Sequence, residues 1–162
     1  MENLKQIMAD VTVGPQPMVD EFQQLQEQGF KSIINFRHDG EDHQPISPRA
    51  EGELVERMGM VYFNVPVSLG SLTPSLVDDF RAGLEKLPKP VFAHCKLGTR
   101  AGLMMMMAQG IEHGRSGEQT ADECEKQGFK FNTAETRSFV TNYVDSRSHR
   151  QAPVQFATRP RG

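Results

Sequence analysis

The chain has only two cysteines and no stretch approaching the roughly 18 consecutive apolar residues that a membrane-spanning helix needs. Two cysteines rule out a disulfide-stapled mini-protein. A chain of 162 residues with 37% hydrophobic content buries a core without cross-links, so Cys95 and Cys124 are both read as reduced thiols. The opening Met-Glu-Asn-Leu-Lys-Gln lacks the basic segment and apolar run of a secretion signal, and the expectation is a soluble cytoplasmic protein with no membrane partner. Positive charge is scarce as well. Residues 146 to 162 hold Arg147, Arg150, Arg159 and Arg161 with no acid, which leaves fourteen basic residues against 21 acidic ones elsewhere. A body so acidic excludes general nucleic-acid binding. With Pro153, Pro160 and few apolar residues, 146 to 162 reads as a basic, flexible tail after a single domain over residues 1 to 145, and no internal repeat marks a second.

What is present is an alternation of short apolar runs and amphipathic segments. Val11 to Val13, Lys31 to Phe36, Val61 to Val65 and Val91 to Ala93 have the length and β-branched or aromatic content of strands. Between them, Met18, Phe22 and Leu25 share one helical face, ended by Gly29. Ser47-Pro48 and Thr73-Pro74 each place a capping hydroxyl before a proline at the first helical position. They open helices whose apolar faces are Ala50, Leu54, Val55 and Met58, and Leu76, Val77, Phe80 and Leu84. Further helices are expected from about Arg100 to His113, from about Ser116 to Gln127, and from a capping pair, Asn132 and Glu135, through Val144. Strands alternating with helices predict an α/β fold of three layers, a mostly parallel sheet of four to five strands flanked by helices. Ligands of such sheets sit beyond the strands' carboxyl ends, where the loop after Cys95 and the polar loop from His38 to Gln44 both fall.

Residues 91 to 100, Val-Phe-Ala-His-Cys-Lys-Leu-Gly-Thr-Arg, carry the chemistry. A thiol follows the apolar run directly. Gly98 permits a positive φ, so the backbone N–H groups of Lys96, Leu97, Gly98 and Thr99 can converge on an anion at the start of the next helix. Arg100 meets two oxygens of a tetrahedral oxyanion bidentately, which a lysine cannot do. Converging amide dipoles and a guanidinium favour the thiolate, so Cys95 is the candidate nucleophile and His94 a supporting hydrogen-bond partner beside it. Cys124, among Asp122, Glu123 and Glu125, is expected to be inert, and Met104 to Met107 to fill the core. His38 and His43 sit among irregularly spaced acids with no cysteine nearby; neither a metal nor a cofactor is expected.

These motifs resemble the DUF442 family, the phosphatase-like domain of beta-lactamase hydrolase-like proteins, within the tyrosine and dual-specificity phosphatase superfamily. The resemblance covers about residues 8 to 130. It rests on Gly14-Pro15-Gln16-Pro17, Ile34-Asn35-Phe36-Arg37-His38-Asp39-Gly40-Glu41 ahead of Gln44-Pro45, Val65-Pro66-Val67, and His94-Cys95 through Gly98-Thr99-Arg100. It implies a dual-specificity-phosphatase-like fold and a thiolate at Cys95. Residues His94 to Arg100 would bind phosphate, and the substrate would be a phosphorylated small molecule or phosphoprotein, phosphotyrosine included. The chain departs from the wider superfamily in three places. Four residues rather than five separate Cys95 from Arg100, a spacing similar to that of rhodanese-type sulfurtransferases. Ala101 stands where a serine or threonine is usual. The loop Ser68 to Ser71 holds no carboxylate, which leaves Asp39, first among Asp39, Glu41 and Asp42, as the expected general acid. Arg37 is expected to pair structurally with Glu41. Three readings follow: a metal-independent cysteine phosphatase first, then a rhodanese-like persulfide carrier using Cys95, then an anion-binding module without turnover.

Overall fold

The computed structural model describes residues 1 to 147; residues 148 to 162, and with them nearly all of the expected basic tail, lie outside the described residues. The backbone divides into two compact units, one over Met1–Gly102 and a second starting at Leu103.

The first unit is built on five four-residue strands: β1 Lys5–Met8, β2 Val11–Gly14, β3 Ser32–Asn35, β4 Val61–Asn64 and β5 Val91–His94. They form one sheet in the order β1-β2-β5-β3-β4, parallel except for the antiparallel β1–β2 pair. Four of the strands are those the apolar runs predict. β1 is an addition: Lys-Gln-Ile-Met is exposed over its first half, and a lone buried Ile7 leaves no alternation to read. β3 and β5 are buried along their whole length, as central parallel strands require.

Helices α1 Glu21–Glu27, α2 Pro48–Arg57 and α3 Pro74–Lys86 complete this unit, and α4 Thr99–Glu112 begins in it. The two capped starts form as expected: Ser47 Oγ accepts the Ala50 N–H at 3.1 Å and Thr73 Oγ1 the Leu76 N–H at 3.1 Å. α1 begins only at Glu21, which leaves Met18 before the helix and 56% exposed rather than on its buried face. Phe22 and Leu25 of α1, Val55 of α2, Ile33 and Phe92 of the sheet and Met60 form one buried cluster, each side chain contributing roughly 1.5–3 kcal/mol by leaving water. Tyr62 and Phe63, successive residues of β4, project to opposite faces. The backbone of Gly52 in α2 lies against the Tyr62 ring, and that of Gly83 in α3 against Phe63. A Cβ at either glycine would come within 2.6 Å or 2.5 Å of the ring atoms. α2 and α3 therefore cover the sheet from opposite sides, giving the three layers expected of a mixed α/β fold.

The second unit continues α4 and adds α5 Gly117–Lys126 and α6 Ala134–Arg147. Ser116 and Gln119 close a reciprocal capping box at α5. The cap of α6 is Thr133, whose Oγ1 accepts the Thr136 N–H at 3.1 Å, one position later than the Asn132 expected. Met104 to Met107 are buried. Burial, with Glu125 and Glu123 nearby, pushes the Cys124 thiol up to about 12, so it stays protonated. Among the described residues no helix is long and apolar enough to cross a membrane.

Candidate active site

Register decides where the site falls. Gly14 and Asn35 both lie opposite His94, and Asn64 opposite Asn35, so β2, β5, β3 and β4 end at one level. The segments that follow them, Pro15-Gln16, Cys95 to Arg100, Phe36 to Asp42 and Val65 to Val67, are thereby delivered to the same edge. Each contributes a group to one connected set of hydrogen bonds.

Cys95 is 1% exposed, and its Sγ accepts the Gly98 N–H at 3.1 Å and the Ala101 N–H at 3.5 Å. Gly98 takes φ +108°, a conformation that L side chains rarely adopt. That turn aims its N–H back at the sulfur and lets α4 start at Thr99, whose N-terminal dipole favours an anion over the loop. Lys96 and Thr99 are half-buried on this loop, and Leu97 is 76% exposed at its tip.

Arg100 is held from one end. Its Nη1 donates to Glu41 Oε2 at 2.8 Å and to the Val67 carbonyl at 3.0 Å, and its Nη2 donates to Glu41 Oε1 at 2.8 Å. This fork-to-fork pairing engages Nη1 and Nη2 and leaves Nε outside it. The hydrogen bonds that Arg100 donates to Glu41 raise its pKa further, against the opposing cost of burial, and the nearby Cys95 adds to the rise.

Glu41 accepts four donors: Arg100 twice, Arg37 Nε at 3.0 Å and the His38 N–H at 2.7 Å. Arg100 above all, helped by His38 and Arg37, lowers its pKa to about 2 against the opposing effect of burial. These four donors favour the ionised form of Glu41 and hold both its oxygens, which counts against it as the proton donor. It is instead the orienting partner of Arg100. Arg37, completely buried, pairs with it structurally as expected and also donates to Gln16 Oε1 at 3.0 Å and the Asp42 carbonyl at 2.8 Å.

His94 is buried beneath the loop, its ring packed near Phe22 and Phe92. Nδ1 lies 3.1 Å from the Cys95 carbonyl and Nε2 lies 2.6 Å from Glu51 Oε2. With both ring nitrogens engaged inside the protein, His94 stands as the supporting hydrogen-bond partner expected, and its ring offers no atom to the phosphate that the resemblance would have it bind. Asp39 is exposed and lines a surface hollow of about 630 Å³ together with His38, Ser47, Arg49, Tyr62 and Asn64. None of residues 94 to 100 contributes to that hollow. Among the described residues there is no group of three or more His, Cys, Asp or Glu that could hold a metal ion.

Sequence reasoning missed Glu51 and the side-chain role of Gln16. Gln16 Nε2 donates to Glu51 Oε1 at 3.1 Å, and its backbone N–H donates to the Lys96 carbonyl at 3.1 Å. Gln16 stood inside a motif already singled out. Glu51 gave no signal, since an acid in the first turn of an amphipathic helix ordinarily faces solvent.

A sheet of this topology, with a cysteine at the end of its central strand and an arginine opening the following helix, defines the class of tyrosine and dual-specificity phosphatase folds. Solved structures agree. A DUF442 protein of Shewanella putrefaciens superposes with a TM-score of 0.75 at 22% identity, covering 90% of this chain and 93% of that one. The core catalytic domain of the PP-IP phosphatase SIW14 from S. cerevisiae, solved with citrate, gives 0.63 at 20% identity over 86% and 83% of the two chains. P. aeruginosa TpbA, solved as a variant with phosphotyrosine, gives 0.69 at 16% identity over 89% and 88%. The chain belongs to the family of the beta-lactamase hydrolase-like protein, phosphatase-like domain, whose profile matches residues 3–112. It is 37% identical over 102 residues to the beta-lactamase hydrolase-like protein of Agrobacterium fabrum, and 33% identical over 118 residues to that of Xylella fastidiosa. These matches take in 63% and 73% of this chain but only 24% and 26% of the relatives' length.

Proposed function

We propose that this phosphatase-like domain is a metal-independent cysteine phosphatase acting on a phosphoester. One observation carries the reading: Cys95 Sγ receives a loop amide, Gly98, and a helix amide, Ala101, near a guanidinium whose direction Glu41 sets. In the first step the Cys95 thiolate attacks phosphorus, an S–P bond forms, and the P–O bond to the leaving group breaks. Amides of residues 96 to 100 and the Nε side of Arg100 hold the equatorial oxygens. The departing oxygen takes its proton from an acid on the loop after β3. With Glu41 committed to Arg100, Asp39 is first choice and Asp42 second. Asp39 is exposed and lies two residues before Glu41, the partner of Arg100. Water then hydrolyses the phosphocysteine, releasing phosphate and regenerating the thiolate. Phosphotyrosine and phosphorylated small molecules are both substrates of the class this site suits, in keeping with the ligand and the activity named for the two fold neighbours.

The four-residue interval from Cys95 to Arg100 favours a second reading. In it, the thiolate takes the outer sulfur of thiosulfate, releases sulfite, and passes the persulfide sulfur to an acceptor such as cyanide. One paired assay decides: aryl phosphate in one arm, thiosulfate with cyanide in the other, each against Cys95→Ser. Phosphate release lost in the variant supports the phosphatase. Thiocyanate formation alone moves the assignment to sulfur transfer. Silence in both arms with phosphate still bound leaves an anion-binding module.

A further inference from the structure

Two consecutive carbonyls of the Cys95 loop are tied down from below. The Cys95 carbonyl meets His94 Nδ1 at 3.1 Å, and the Lys96 carbonyl accepts the Gln16 N–H at 3.1 Å. In a trans peptide the next N–H points opposite to the carbonyl. Pinning these two carbonyls therefore turns the N–H groups of Lys96 and Leu97 away from His94 and Gln16, toward the side on which an anion would rest. Both anchors lead to one carboxylate. Glu51 Oε2 lies 2.6 Å from His94 Nε2, and Glu51 Oε1 accepts the Gln16 side-chain amide at 3.1 Å.

We propose that Glu51 is the positioning residue of this site, the single group that preorganises the Lys96 and Leu97 amides for a tetrahedral oxyanion. The inference rests on the phosphatase reading and deepens it by assigning the loop's stiffness to a residue 44 positions away in sequence.

Hydrogen-bond accounting supports this. A carbonyl only accepts, so His94 carries a proton on Nδ1. The 2.6 Å contact needs one further proton, shared between Nε2 and Oε2, so the pair is neutral as a whole whichever atom holds it. Gln16 is equally determined: its oxygen faces the Arg37 donor, and its nitrogen faces Glu51 and the Pro17 carbonyl. His94 and Glu51 are fully buried, so no water substitutes for a lost partner. Near the pair stand Cys95, next in sequence to His94, Tyr62 from β4, and Arg37 through Gln16, with the Phe22 and Phe92 rings beside the His94 ring.

The test uses the whole chain and inorganic phosphate as probe, with binding followed by calorimetry and by the amide resonances of Lys96 and Leu97. Glu51→Leu removes the carboxylate that holds both anchoring residues, and phosphate affinity is expected to fall tenfold or more while the circular dichroism of the fold is kept. Glu51→Gln donates to a neutral His94 and still accepts from Gln16, so it keeps both bonds and is expected to bind within about threefold of wild type. Should Glu51→Leu fail to fold, Glu51→Asp takes its place, because a carboxylate one methylene shorter cannot reach both anchors. A folded Leu or Asp variant with wild-type affinity overturns the proposal, as does a Gln variant as weak as the Leu one. If the wild-type chain itself binds no phosphate, the phosphatase reading fails first, and that outcome is visible before any variant is made.

Discussion

Replacing Glu41 by glutamine tests the most heavily bonded ion pair of the site. The carboxylate faces both ends of the Arg100 fork at 2.8 Å and Arg37 at 3.0 Å, and its pKa falls from 4.5 to about 2. At about 1.36 kcal/mol per pKa unit the shift corresponds to roughly 3 kcal/mol of folding stability. The Arg100 and Glu41 side chains remain 18% and 19% accessible, so screening by solvent brings the expected value to about 2–3 kcal/mol. The sign follows from a folded-state pKa lying below the unfolded one. The stabilisation is fully present above about 4.5 and drains away as pH falls toward 2. Urea unfolding of wild type and Glu41→Gln, run at several pH values between 3 and 7, should therefore show a difference of about 2–3 kcal/mol at pH 7 that shrinks to less than half by pH 3. Activity on an aryl phosphate should drop at the same time, since Arg100 loses the partner that aims it. A stability difference that stays constant from pH 7 to pH 3 would refute the assignment of the shift to this ion pair.

Asp39→Asn should slow hydrolysis of a phosphoester with a poor leaving group far more than one with a good leaving group; equal rates on both would remove Asp39 from the mechanism. Gly98→Ala should cost about 1–3 kcal/mol of stability, because alanine must adopt the +108° φ, even though its Cβ would meet Gly14 only at ordinary contact distance. A loss below 0.5 kcal/mol by thermal melting would show that the loop relaxes freely. In the native protein at pH 8, iodoacetamide should label Cys124 only after denaturant is added, since burial keeps its thiol protonated and covered; rapid native labelling of Cys124, read by mass spectrometry, would contradict that burial.

The alternation of strand and helix was legible because Ile33-Ile34, Val91-Phe92 and the two hydroxyl-proline starts are local signals that the fold preserves. The Cys95 loop was legible for the same reason, its cysteine, glycine and arginine lying within six residues. β1 was not, because a strand held at the sheet's edge by backbone pairing needs little apolar pattern of its own. The support beneath the loop was equally hidden. Glu51, Gln16 and His94 come from three segments, and their meeting depends on where β2 and β5 end relative to α2, a register no local pattern encodes. Glu41 illustrates the same limit in reverse: its residue type suggested a proton donor, and only the fold brings Arg100 beside Arg37 to hold it ionised.

The single carboxylate of Glu41 faces two guanidiniums, Arg100 and the buried Arg37, so this trio keeps one net positive charge, and the His94–Glu51 pair beneath adds none. On the phosphatase reading, an incoming oxyanion therefore meets the same single surplus charge as any other small anion would. Its retention depends on how many correctly angled N–H groups it satisfies at once, so selection operates on molecular shape more than on valence. Spherical halides, which engage such a cup poorly, should compete weakly with tetrahedral anions even at the salt levels found in cells.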